Sequence, residues 1–179
     1  MNFIFIQLIG AIGYGILAYS YFKKEKKQIL FMQIIAYIMF TIHYYLLNGI
    51  TGAICNLIGL FALVTIYLFD KNKWKNKNYI GMLFVIILIA INIATFQNVY
   101  SIFPMIASVI VIISFLMDNE DTIRGIGVIA AVCWLIYAIV YKSYIAIAFE
   151  IVTLIGVAVA YIKNTKIVKN NKNWGENEK

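Results

Sequence analysis

Residues 70–96 read DKNKWKNKN followed by YIGMLFVIILIAINIATF: nine residues holding four lysines, then eighteen without a charge. As an α-helix, eighteen residues rise about 27 Å, close to the roughly 30 Å hydrocarbon thickness of a bilayer. The run is apolar throughout and shows none of the alternation of a barrel strand, so residues 79–96 read as a transmembrane helix entered from a basic loop.

The rest of the chain repeats that design. Of 179 residues, 63% are hydrophobic and 13% charged, with a mean hydropathy of +0.86. A soluble domain carries about 25% charged residues. So much apolar surface requires lipid as solvent, where backbone polar groups are satisfied within helices. Breaks between apolar runs predict helices at 3–21, 29–47, 51–69, 79–96, 102–117, 125–141 and 145–162, an all-α protein with seven transmembrane helices. Residues 1–165 form a single transmembrane domain, and 166–179 a basic cytoplasmic tail expected to be disordered. Met1–Ile12 has no positive region ahead of its apolar run, so a first spanning helix is expected and not a cleaved signal.

Charge sets the orientation. The net charge of +7 is no sign of nucleic-acid binding, because the lysines cluster between apolar runs and in the tail. Placing alternate loops on alternate sides gathers Lys23, Lys24, Lys26, Lys27, the lysines of 71–77, Arg124 and the tail lysines. That is 14 of the 15 basic residues, with Lys142 alone opposite. The positive-inside rule makes the crowded side cytoplasmic, with the N-terminus outside and the C-terminus inside. Six or eight helices would scatter the clusters.

A shift of 94 residues superposes the first three helices on the last three without a gap, both loops in register. Only nine positions are identical over 7–69, so the evidence is the register. Two three-helix units (3–69 and 102–162) separated by the helix 79–96 make a parallel 3+1+3 repeat, the SWEET-like layout. The shift carries Phe40 to Trp134, His43 to Tyr137, Gly49 to Ser143 and Asn56 to Glu150.

Inside the spans, strongly polar side chains are few: Gln7, Gln33, His43, Asn56, Asn92 and Glu150. Glu150 is the sole acidic one. A mid-span carboxylate costs several kcal/mol unless paired, hydrated or protonated, which makes it a candidate functional group. Counting residues from the outer helix ends places His43, Asn56, Asn92, Tyr137 and Glu150 in one outer layer. The ladders Gly52–Asn56–Gly59 and Ala146–Glu150–Thr153 set small residues beside the polar one, so these faces point into the bundle. The expected pocket is lined by Phe40, His43, Asn56, Asn92, Trp134, Tyr137 and Glu150.

Each residue also has a structural reading. His43 can serve as a buried hydrogen bonder and Asn56 as a helix–helix contact. Trp134 and the Tyr44–Tyr45 pair read as aromatics of the outer interface. Gly10, Gly13 and Gly15 mark close packing of the first helix, and Pro104 is a first-turn proline. Cys55 and Cys133 read as core residues, not as a disulfide or metal pair.

The segment His43-Tyr44-Tyr45-Leu46-Leu47-Asn48-Gly49 with Ala53-Ile54-Cys55-Asn56, and later Trp134-Leu135-Ile136-Tyr137 with Ser143 and Glu150, resembles the YgjV-type bacterial inner-membrane proteins along nearly the whole chain. That resemblance implies a small plasma-membrane protein of ill-defined activity, distantly similar in layout to SWEET and PQ-loop transporters. This chain has Tyr137 where some relatives are expected to carry a histidine, and it has no Pro-Gln pair.

The reading that follows is a small-solute transporter of the inner membrane. Glu150 would be its proton-sensitive or cation-binding group, His43 and Asn56 would orient the solute, and Phe40 and Trp134 would wall the pocket. The alternative is a non-transporting receptor, or a scaffold for lipid or a protein partner, using the same pocket and the basic loops. An enzyme is not expected: HExxH, GxSxG, paired acidic motifs and phosphate loops are all missing from the sequence, and no cofactor or metal is called for.

Overall fold

A computed structural model describes residues 2–20, 23, 26–72, 77–116 and 120–156. These residues form seven α-helices and no strand: α1 Phe3–Ser20, α2 Lys26–Leu46, α3 Ile50–Asn72, α4 Lys77–Ala94, α5 Ile102–Leu116, α6 Glu120–Val140 and α7 Tyr144–Gly156. Three have the length and apolarity to cross a membrane, over Phe3–Ser20, Gln28–Leu46 and Ile50–Phe69. The others carry shorter apolar stretches, Asn78–Ala94, Val99–Ser114, Val128–Val140 and Tyr144–Gly156. The expected end of the seventh helix and the tail from 166 lie outside the described residues.

Helix boundaries depart from the expected ones where charge was read as loop. Glu120, Asp121 and Arg124 belong to the start of α6, and Asp70–Asn72 to the end of α3. Hydropathy marks where a helix leaves lipid, but the backbone continues into polar surroundings, and acidic residues favour a first turn. At the start of α5, Asn98 caps a 3-10 turn, Val99–Ser101, reciprocally with Ser101. Pro104 is the third residue of α5, where no intrahelical N–H is lost.

Two tight connections set the geometry of one end of the bundle. After α2, Asn48 has φ 60°, its N–H donates to the Tyr45 carbonyl and the Gly49 N–H to the Tyr44 carbonyl. After α6, Lys142 has φ 54°, its N–H donates to Ile139 and the Ser143 N–H to Ala138. Both are Schellman closures with a left-handed residue that is not glycine. Each sends the chain straight back into the next helix, whose first bond is Ala53 N–H to Gly49 in one case and Ile147 N–H to Ser143 in the other.

The helices pack in the neighbour pairs α1–α2, α2–α3, α3–α4, α3–α5, α4–α5 and α5–α6. α7 closes against α1, where Tyr14 meets Phe149 at 4.5 Å between ring centroids. One buried cluster joins Tyr14, Ala36, Phe40, Ala138 and Ala146 of α1, α2, α6 and α7. A second joins Ile58, Ala62, Val85, Leu88 and Ile112 of α3, α4 and α5. Outside these seams the surface is apolar: Ile86 and Ile93 of α4 stay exposed, as does Leu8 of α1. Such a coat belongs in lipid.

Glycine permits the closest approaches. A Cβ on Gly10 would lie 2.7 Å from Ile145 Cγ2 and 2.8 Å from His43 Cε1, and one on Gly13 would lie 2.9 Å from Phe40 Cε1. Gly15 differs from the expectation: it faces outward and a Cβ there meets nothing within 4 Å.

Candidate functional site

The five residues of the expected polar layer are all buried: His43 and Tyr137 at 0% exposure, Asn92 at 2%, Asn56 at 3% and Glu150 at 8%. Their partners divide them into braces and one group left over.

His43 is a brace. Its Nδ1 lies 2.8 Å from the Ile6 carbonyl oxygen and its Nε2 lies 2.7 Å from Ser143 Oγ. A carbonyl only accepts, so Nδ1 carries the proton and the neutral ring takes the Ser143 hydroxyl proton at Nε2. One imidazole thereby ties α2 to α1 and to the α6–α7 turn. Tyr137 mirrors it from the other side, its hydroxyl oxygen accepting the Gly52 N–H at 2.9 Å. That N–H lies in the first turn of α3 and has no helical partner, so Tyr137 caps α3. Gln7 does the same for α7, accepting the Ile145 N–H at 3.3 Å and donating to the Lys142 carbonyl. Thr51 and Ser101 share a hydrogen bond at 2.9 Å.

The two amides are likewise committed to helices. Asn56 Nδ2 donates to Gly52 one turn back. Asn92 Nδ2 donates to Leu88, and its Oδ1 accepts from the Cys55 thiol at 3.2 Å in the α3–α4 seam. None of these bonds joins two of the seven predicted residues, and among the described residues Glu150 is bonded to none of the others. The amides and imidazole expected beside the carboxyl are engaged elsewhere, His43 with Ile6 and Ser143 and each amide with the carbonyl one turn back on its own helix.

The Glu150 carboxyl lies within electrostatic reach of two phenols, Tyr14 and Tyr44. Tyr44 is only 1% exposed, and its hydroxyl makes no hydrogen bond of good geometry, Tyr14 and Ser143 being the polar groups that neighbour it. The interface role expected for Tyr44 is thus overturned: the residue is buried, while neighbouring Tyr45, 63% exposed, keeps an outward position. Tyr44 is the hub of the aromatic packing, 5.5 Å from both Trp134 and Tyr137 and 5.3 Å from His43 between ring centroids. Phe40 joins through Tyr14, 4.5 Å away. Adjacent aromatics at a helix end look alike in sequence; only the helical phase, with Tyr44 four residues beyond Phe40, sets one of them inward.

The arrangement therefore holds a buried carboxyl without hydrogen bond or ion pair among the described residues, a buried phenol, Tyr44, within its electrostatic reach, and aromatic rings packed around that phenol. Leaving a buried hydroxyl unpaired costs about 1–3 kcal/mol, and a buried unpaired carboxylate more. Water, an ion, a ligand or, for the carboxyl, protonation can each satisfy such groups. Among the described residues no cluster of three or more metal-ligating side chains occurs.

Comparison with protein families places the chain. A model of the Imp-YgjV family, bacterial inner membrane proteins, matches residues 4–167. The chain belongs to the Imp-YgjV family. Neither the curated proteins nor the solved structures contain a match to it. For this Imp-YgjV protein, the lipid surroundings inferred from composition and from the exposed apolar helix faces agree with the family's inner-membrane description.

Proposed function

We propose that this Imp-YgjV protein is a small-solute carrier, with Glu150 as the group that meets the solute or its coupling proton. The observation that carries the reading is the Glu150 carboxyl, 8% exposed, without a hydrogen-bond or ion-pair partner among the described residues, and within electrostatic reach of the Tyr44 hydroxyl. A solute with a cationic or hydrogen-bonding group, or a proton, would satisfy both.

The reading includes seven spans with the N-terminus outside and the C-terminus cytoplasmic, argued from the 14 basic residues gathered on one side. It also includes the parallel repeat. In support, four backbone bonds of the 47–53 turn recur 94 residues later in the 141–147 turn, and the left-handed residues Asn48 and Lys142 correspond. Contacts between the halves recur with the halves exchanged: Gln7 to Ile145 answers to Ser101 to Thr51. His43 reaching Ser143 answers to Tyr137, whose hydroxyl oxygen would lie 3.0 Å from a Cβ on Gly49. Parallel-repeat carriers bind substrate where the repeats meet, which here is the Glu150 seam.

A second reading, a receptor or scaffold that does not alternate, has its own support in the same braces. His43, Tyr137 and Gln7 saturate the outer end and tie the halves together. Uptake of a panel of small polar and cationic solutes into proteoliposomes decides between them. Uptake above protein-free vesicles supports the carrier. Its absence, with unchanged cysteine accessibility along α1 and α5 at every pH and solute tried, supports the scaffold.

A further inference from the structure

At the end of the bundle opposite the braces, a cleft of about 380 Å³ is lined by Lys23, Gln28, Phe31, Met32 and Tyr67. We propose that it binds an acidic phospholipid, the headgroup phosphate on Lys23 and an acyl chain along Phe31 and Met32. Nothing in this proposal depends on transport; it rests on the membrane setting that the family establishes.

Three features converge. The cleft lies where α1 ends, α2 begins and α3 nears its end, the level at which apolar spans give way to headgroups. Its cation is held in place: Lys23 Nζ donates to the Tyr19 hydroxyl at 2.9 Å and stands 4.4 Å from the centre of the Tyr19 ring. One ammonium proton is so engaged, and two remain for a phosphate. The wall below is apolar, with Phe31 50% exposed beside Met32, while Tyr67 adds a phenol to the lining. A zwitterionic headgroup would bring its own ammonium to Lys23, and a free phosphate would leave the apolar wall without an occupant. The chemistry therefore fits an acidic lipid better than either.

Native mass spectrometry of the full chain, released from micelles doped with phosphatidylglycerol or phosphatidylcholine, tests this. The expected result is one retained phosphatidylglycerol and no comparable retention of phosphatidylcholine. Lys23→Gln should weaken retention about five-fold, the effect of one cation near a lipid surface. Met32→Trp, which fills the cleft and keeps the charge, should also weaken it. Lys142→Gln, removing the same charge at the other end, should not. Circular dichroism confirms that each variant is folded. Equal retention of the two lipids, indifference to both cleft variants, equal loss in Lys142→Gln, or displacement of the lipid by millimolar glycerol phosphate would each overturn the proposal.

Discussion

His43 Nε2 lies 2.7 Å from Ser143 Oγ, joining α2 to a turn a hundred residues further along the chain. With the bond from Nδ1 to Ile6, this makes one imidazole the junction of α1, α2 and the α6–α7 turn. His43→Ala removes the second bond to the Ile6 carbonyl, takes the imidazole partner from the Ser143 hydroxyl and opens a buried space. Loss of about 2–4 kcal/mol is expected, read as a fall in melting temperature on the order of 5–15 °C in detergent. An unchanged melting temperature would remove the junction from the account.

The buried tyrosines should respond oppositely to loss of a hydroxyl. Tyr137→Phe orphans the Gly52 N–H and should destabilise by about 1–3 kcal/mol. Tyr44→Phe loses no hydrogen bond, so thermal stability should stay level or rise. Paired melting curves check the contrast, and a larger loss for Tyr44→Phe would show that its hydroxyl has a structural partner.

Glycines of α1 and α3 should divide by what a Cβ would strike. In Gly52→Ala the new carbon collides with the Tyr137 ring, and in Gly10→Ala with Ile145 and His43. Overpacking of this kind costs about 1–3 kcal/mol. Gly15→Ala meets open space and should be neutral or stabilising through helix propensity. Melting curves of the three variants test the ranking.

Much of the helical plan was legible in sequence because membrane helices announce themselves by length and apolarity. The bounds of α1 and the start of α3 were read closely, since Ser20 and Ile50 sit where apolar runs change. The start of α6 was not, because Glu120 and Asp121 look like loop while serving as a helical first turn. Burial of Glu150 was legible from the small residues around it, and so was the inward placing of Asn56. Its surroundings were not. Counting depth puts His43, Asn92 and Glu150 in one layer, but depth does not say which seam a side chain enters. Asn92 turned to Cys55, His43 to Ile6 and Ser143. Tyr44 was misread because an aromatic pair at a helix end suits the interface equally well, and only packing against Trp134 and Tyr137 distinguishes its two members.

Orientation makes a separate prediction. Cys55 and Cys133 are buried and should label poorly, which leaves a quiet background for added thiols. A cysteine replacing Lys142 should react with an impermeant maleimide in intact spheroplasts, and one replacing Lys172 only after permeabilisation. The reverse pattern would invert the proposed topology.

The central proposal is that Glu150, without a hydrogen-bond or ion-pair partner among the described residues, is the group that meets the transported species. Solute uptake by proteoliposomes containing the Glu150→Gln variant, reconstituted at the same density as the unaltered protein and checked for an undiminished melting temperature, tests this most directly. The expected result is a fully folded variant with uptake reduced at least ten-fold. Uptake equal to that of the unaltered protein would contradict the account.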